Sequence, residues 1–323
     1  MMPKPIEKKR GSCFSPNQRP PQKESANSSN SSKKPQKSPN KNQRGPSPNS
    51  IVRKNQKSRT INMGKLVLPI GSTLQSTFKL CQNEEYRDYM EDVVLVLNNY
   101  LNDPFKHIYA VFDGHGGDES ARLSSMLFPE IFSRYLKDYS SNIEYCLKKA
   151  FAKIDLETKK HKCVTIGNTA TVVYIQNKLF FCANVGDSAC VLVSKNGAKQ
   201  ISYDDKCTDP AEIKRVESEG GFILDERLDG QLAITRALGD HDLKGRGLSC
   251  EPHIYKTMIT ENELYCVIAS DGIWDDLTPN DIYEICKSGK NVDAIVDRII
   301  TTALERGSED NISCIVVAFQ QPQ

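Results

Sequence analysis

Asp113-Gly114-His115-Gly116-Gly117 crowds a carboxylate, an imidazole and three glycines into five positions, directly after the apolar Val111-Phe112. A carboxylate can hold a cation and an imidazole can carry a proton near neutral pH. Glycine lets the main chain approach an ion so closely that a carbonyl becomes a ligand. The same residues also suit a tight turn, with glycines at positive φ and Asp113 capping the following helix. These five positions by themselves leave both readings open.

Other carboxylates recur at the edges of apolar runs. Glu91 and Asp92 precede Val93, Asp187 follows Val185-Gly186, Asp271 follows Ile268-Ala269-Ser270, and Asp310 with Asn311 precedes Ile312. One such Asp is an ordinary cap or turn residue. Five instances, counting Asp113, point to hard divalent cations, because oxygen ligands in this number suit Mg²⁺ or Mn²⁺. The five histidines are too dispersed for a zinc triad, and no Cys-x-x-Cys pair occurs among the eleven cysteines.

The elements that must position these groups are mostly short strands. Asp92 to Leu97, Lys106 to Phe112, Ala170 to Ile175, Lys178 to Ala183, Ala189 to Val193, Leu232 to Thr235, Leu264 to Ser270 and Ile312 to Phe319 read as strands. The short turn at Gln176-Asn177 implies antiparallel pairing. Asp118 to Tyr135 reads as a helix that kinks or divides at Pro129. Ile143, Leu147, Ala150, Phe151 and Ile154 recur at the spacing of a buried helix face, as do Val292, Ile295, Val296, Ile299 and Ile300. Further helices are expected at Asp209 to Glu219, closed by Gly220-Gly221, and at Pro279 to Lys287. Clustered strands interrupted by helix pairs predict an α+β fold, with helices packed on antiparallel sheets.

The charge is divided. Residues 1–60 hold 15 Lys or Arg against Glu7 and Glu24, which leaves 28 basic and 39 acidic residues for 61–323. Ser, Asn, Gln, Lys and Pro dominate the first part, which cannot bury enough apolar surface to offset its ordering entropy. It reads as a disordered basic tail ahead of a domain at 61–323 that starts folding near Gly64. Ser15-Pro16, Ser38-Pro39 and Ser47-Pro48 read either as sites for a proline-directed kinase or as incidental pairs in a solubilising tail. Its charge also suits non-specific contact with anionic partners, nucleic acid or membrane. No stretch approaches the uninterrupted apolar length of a membrane span, and the N-terminus lacks the apolar h-region of a secretory signal. Scattered cysteines inside apolar runs, such as Cys182, Cys190, Cys266 and Cys314, fit a reducing compartment, cytoplasmic or nuclear.

Read together, these stretches resemble the metal-dependent protein serine/threonine phosphatases of the 2C type, from about Tyr86 to Val317. The resemblance rests on Arg87-Asp88-Tyr89-Met90-Glu91-Asp92, Val111 to Gly117, Gly167-Asn168-Thr169-Ala170 and Asn184-Val185-Gly186-Asp187-Ser188. It continues through Asp229-Gly230 with Arg236-Ala237-Leu238-Gly239-Asp240, Ala269 to Asp275, and Glu309-Asp310-Asn311-Ile312-Ser313. It implies a sandwich of two antiparallel sheets flanked by helix pairs, with two Mn²⁺ or Mg²⁺ ions in a cleft at one end. Asp113 would bridge both ions, the Gly114 carbonyl would bind one, and Asp271 with Asp310 would hold the other. Glu91 and Asp92 would act through water, and Asp187 with Asp271 matches the position of a weaker third metal. Arg87 would hold phosphate and His115 would protonate the departing serine or threonine oxygen of a phosphoprotein substrate.

Three departures are visible: Asp205 where relatives usually have histidine, Cys207 where they have proline, and Glu85 where glycine is usual. All three bear on substrate preference and none removes a ligand. The competing reading is a catalytically silent family member that serves as a binding module. It would be favoured by loss of Asp113, Asp271, Asp310 or Arg87, all of which are present. A nuclease is disfavoured by the net acidity of 61–323.

Overall fold

The computed structural model describes residues 74–319. The tail at 1–60, its Ser-Pro steps, Cys13 and the expected start near Gly64 lie outside the described residues. In chain order the strands are β1 (Gln75–Cys81), β2 (Val93–Leu97), β3 (Lys106–Phe112), β4 (Gly114–His115), β5 (Gly167–Asn168), β6 (Ala170–Gln176), β7 (Leu179–Val185), β8 (Ala189–Ser194) and β9 (Gly197–Gln200). They continue with β10 (Ile223–Leu224), β11 (Arg227–Leu228), β12 (Leu238–Gly239), β13 (His253–Met258), β14 (Glu263–Ala269) and β15 (Ile312–Ala318). The helices are α1 (Glu119–Tyr139), α2 (Ile143–Lys160), α3 (Pro210–Ser218), α4 (Asp271–Trp274), α5 (Pro279–Ser288) and α6 (Val292–Arg306).

The period-two alternation of the strands sorts their side chains into separate cores. In β3, Ile108, Ala110 and Phe112 face the helix pair α1/α2, where they meet Phe128, Phe132, Leu147 and Phe151. Tyr109 and Val111 of the same strand face the other way, against Cys190, Ile268 and Ile315 of the second sheet. On that sheet's far face, Val191, Val267 and Val316 pack on α5 and α6 through Ile282, Ile295 and Ile299. Each fully buried Phe contributes about 1.5–3 kcal/mol to this arrangement. The sheets run β13-β7-β6-β3-β2 and β1-β15-β14-β8-β9. Every pairing within them is antiparallel. The architecture is therefore α+β, two packed antiparallel sheets between helix pairs, as the sequence predicts.

Helix starts follow local chemistry. The Asn142, Asp209 and Asn291 side chains accept from backbone N–H groups at the starts of α2, α3 and α6, and Thr278 with Asp281 forms a capping box on α5.

Local sequence misleads in three places. α1 runs unbroken through Pro129. Ala121, Leu123 and Phe128 before the proline and Ile131 and Phe132 after it are all buried, and this burial outweighs the ~3 kcal/mol cost of the proline. Leu232 to Thr235 is not a strand. Its main-chain groups are answered singly, by Leu228 N donating to Leu232 O (2.7 Å), Cys207 N to Ala233 O (3.1 Å) and Thr235 N to Asp205 O (2.8 Å). Conversely, β1, β9 and β13, all sheet edges, have no counterpart among the expected strands. Their polar outer residues blur the apolar signal.

Candidate active site

In an antiparallel sheet the C-terminal end of one strand lies beside the N-terminal end of the next. Glu91 and Asp92 precede β2, Asp113 follows β3, Thr169 precedes β6, Asp187 lies between β7 and β8, Asp271 follows β14 and Asp310 precedes β15. All of them therefore arrive at one end of the sandwich. There, Arg87, Glu91, Asp113, Gly114, His115, Asp187, Asp271 and Asp310 line one cavity of about 370 Å³, together with Thr169, Arg227, Leu232 to Ile234 and Asn311. Asp92 sits behind this surface, 5% exposed, and accepts from Ser270 Oγ at 2.8 Å.

The loops are tied down by short polar contacts. Asn311 accepts from Glu91 N (2.8 Å) through Oδ1 and donates through Nδ2 to the carbonyls of Gln82 (2.8 Å) and Tyr89 (3.0 Å). Thr169 N donates to Asp113 O (2.8 Å), and its hydroxyl lies 2.7 Å from that of Ser188, a structural rather than catalytic placement. Gly114 is required by proximity, since a Cβ there would stand 2.6 Å from Glu91 O. Trp274 packs on the second core and donates Nε1–H to Ala269 O at 2.7 Å.

Electrostatically the cavity is frustrated. Burial, followed by repulsion from Asp92, Asp271, Asp187 and Asp310, holds the Asp113 carboxyl well above the usual range. Burial, then Asp187 and Asp310, pushes Asp271 up to about 7. Burial raises Asp92 to about 6, against hydrogen bonds from Ser270 and Ser313. Asp187 is raised by burial and partly relieved by Lys206. The cations lining the cavity are Arg87 and Arg227, and Arg87 is already paired with Asp310 Oδ2 at 2.5 Å. A buried set of hard oxygen donors with so little counter-charge fits divalent cations such as Mg²⁺ or Mn²⁺.

This frustration has a measurable sign. Between the ordinary pKa of 3.8 and about 7, the folded state holds a proton on Asp271 that the unfolded chain has released, so stability falls as pH rises. Buried His107, pushed down to about 4, acts in the opposite sense below pH 6.5. Urea unfolding of chelated protein should therefore show stability falling from pH 6.5 to about 8, by on the order of 1 kcal/mol. Saturating Mn²⁺ should remove the trend. A rise in stability over the same window in chelator would contradict an origin in the buried carboxylates.

Two groups were not singled out as site residues from the sequence. Asp240, 4% exposed, accepts from His115 Nε2 at 2.7 Å. An ionised carboxylate only accepts, so Nε2 carries a proton and Nδ1 is the other nitrogen. Gly167 makes room for this pair, because a Cβ there would meet Asp240 Oδ2 at 1.9 Å and His115 Nε2 at 2.5 Å. The available signal was that Asp240, like Asp187, follows a glycine after an apolar run. Asn311 is the second group, and adjacency to Asp310 was its signal.

Among the described residues, Asp205, Glu212 and His253 bring potential ligand atoms within 4.8 Å of one another. Arg236 already occupies this set. Its Nη2 lies 2.7 Å from Glu212 Oε1 and its Nε 3.3 Å from Asp205 Oδ1, while Arg215 adds a contact to Glu212 at 2.8 Å. His253 Nε2 is 3.0 Å from Asp205 Oδ1. We read the cluster as a buried ion-pair network at the root of the segment carrying α3, β10 and β11. Asp205 Oδ2 also accepts from Gly186 N (2.8 Å), which connects the network to the turn bearing Asp187. Cys207 packs under the same segment with Val216, Leu228 and Ile234, and its N–H bond to Ala233 is one a proline could not make.

An acidic, cation-demanding cleft at the end of a helix-flanked β-sandwich defines a metal-dependent hydrolase. The family model "Protein phosphatase 2C" matches residues 76–312. The chain is 38% identical over 240 residues to "Probable protein phosphatase 2C 58" of Arabidopsis thaliana, covering 71% of this chain and 83% of that protein. It is similar to the solved structure of a C. elegans sex determining protein, with TM-score 0.71 and 28% identity over 78% of this chain and 66% of that one. A serine-threonine phosphatase 2C from Toxoplasma gondii shares the fold, with TM-score 0.69 at 18% identity, over 80% of this chain and 98% of that one. The chain belongs to the protein phosphatase 2C family. It is a metal-dependent serine/threonine phosphatase.

Proposed function

We propose that the cleft hydrolyses phosphoserine and phosphothreonine esters of proteins with two divalent cations, Mn²⁺ or Mg²⁺. The observation that carries this reading is the convergence of Asp113, Asp187, Asp271 and Asp310 on one cavity with Arg87 and His115. Asp113, the Gly114 carbonyl, Asp271 and Asp310 would hold the two ions, Glu91 and Asp92 would act through water, and Asp187 would serve a weaker third. When bound, such ions lower the pKa of water and screen the phosphoryl charge. Arg87, with 44% of its side chain exposed, offers its fork to the phosphate oxygens and orients phosphorus for in-line attack. Asp240 holds the His115 ring through Nε2–H, so the imidazolium form would deliver its Nδ1 proton to the departing oxygen and keep the Nε2 proton. Buried free thiols such as Cys190 and Cys314 support a reducing, cytoplasmic or nuclear, setting.

The test is hydrolysis of a phosphothreonine peptide by the full chain with Mn²⁺, Mg²⁺ or chelator, beside Asp271→Ala. Turnover should vanish on chelation and in the variant, and Arg87→Ala should raise KM about tenfold or more. Folded wild type as inert as Asp271→Ala in saturating Mn²⁺ would leave the binding-module reading in its place.

Asp240→Asn should lower kcat on phosphothreonine about tenfold to a hundredfold. It should spare p-nitrophenyl phosphate, whose leaving group departs without a proton. Equal losses on both substrates would rule out the proton-delivery role.

A further inference from the structure

A second cavity, of about 530 Å³, is lined by Cys81 to Tyr86 on one side and Leu304, Gly307 and Ser308 on the other. Its lining residues Tyr86 and Ser308 stand next in sequence to the segments that carry Arg87 and Asp310 into the catalytic one. Asn83 Nδ2 donates to Ser308 O (2.6 Å) and to Asp310 O (3.2 Å), and Arg87 Nε donates to Glu309 O (3.2 Å). The clasp that carries Arg87 and Asp310 into the catalytic cavity therefore also forms the back of this groove. Tyr86 and Leu304 supply exposed apolar surface, 51% and 39% respectively. Glu84 and Glu85 are exposed on the rim, with Asp88 and Glu309 alongside in sequence.

Among the described residues, no Lys or Arg pairs with any of these four acids. The cations nearest in sequence are committed elsewhere: Lys79 to Asp297, Arg298 to Glu305, Arg306 to Asp281 and Arg87 to Asp310. The groove is thus partly apolar, with uncompensated negative charge at its edge. Two peptide units separate Glu85 from Arg87, so their Cα atoms are at most about 7.6 Å apart. An extended substrate with its phosphate on Arg87 reaches the groove within about two to three residues.

Resting on the phosphatase reading, we propose that this groove is a docking subsite for protein segments carrying Lys or Arg within a few residues of the phosphoserine or phosphothreonine. The basic heads would meet Glu84 and Glu85 while their alkyl stems lie along Tyr86 and Leu304. Acidic flanks would be repelled at the same place, so the groove discriminates in both directions. The plain alternative is a solvated acidic loop that leaves substrate choice untouched.

The deciding experiment compares the full chain with Glu84→Gln/Glu85→Gln, both in saturating Mn²⁺. The substrates are a phosphothreonine peptide flanked by arginines, the same peptide flanked by glutamates, and p-nitrophenyl phosphate, which is too small to reach the groove. Wild type should favour the basic peptide about tenfold in kcat/KM, less as salt rises. The double variant should retain about twofold, with the loss in KM and the aryl phosphate rate unchanged. Equal treatment of the two peptides by wild type, or an undiminished preference in the variant, would overturn the proposal.

If no substrate turns over, the phosphatase reading itself has failed, and fluorescence anisotropy of the same peptides on chelated protein still decides the groove. A basic preference removed by the double substitution supports it, and equal binding by wild type and variant refutes it.

Discussion

Asp113→Asn is expected to reduce kcat on a phosphothreonine peptide by about a thousandfold while raising the melting temperature of the chelated protein. The two effects share one cause. Asp113 is held at the centre of the acidic set, where burial and four neighbouring carboxylates oppose its ionisation. The charge that is needed to hold cations is therefore a liability to the fold without them. An amide of the same shape removes that liability and the ligand together. Relief of about 2 kcal/mol would raise the melting temperature by about 4–8 °C for a domain of this size. Scanning calorimetry in chelator and in Mn²⁺ checks both halves: Mn²⁺ should stabilise wild type strongly and the variant little. A chelated variant that melts below wild type would refute the account of the site as electrostatically frustrated.

Arg236→Ala should produce the largest loss of stability, about 3–5 kcal/mol. Arg236 is 11% exposed on its side chain, and its partners Glu212 and Asp205 are 5% and 0% exposed. Its Nη1 also donates to Glu251 O at 2.7 Å. Truncation leaves two carboxylates buried with only Arg215 and His253 facing them, a cost far above that of losing an ordinary surface pair. Arg298→Ala provides the comparison, since its pair with Glu305 is 55% and 56% exposed and should be worth under about 1 kcal/mol. Urea denaturation of the two variants side by side is the measurement. Similar, small losses in both would mean that solvent reaches the Arg236 network and that it does not anchor the α3 segment.

Local chemistry is enough to make the strand-end carboxylates conspicuous. Once the strands are known to be antiparallel, the meeting of Asp113, Asp187, Asp271 and Asp310 at one end follows from connectivity alone. The helix-facing and sheet-facing sides of β3 are likewise written in its alternation. Each of these features depends on residues within one element or on the rule that joins neighbouring elements.

Contacts between residues distant in sequence were decided by tertiary structure. Asp240 reaches His115 across 125 positions, and His253 faces Asp205 although neither residue implies the other. Pro129 stays helical because burial on both sides outweighs its local penalty. Leu232 to Thr235 looks like a strand but finds its hydrogen bonds one at a time. Periodicity reports which face of a segment avoids water, but not which partner waits there. Partner choice is settled by packing and by pairing buried charge, energies that exist only when the whole chain is in place.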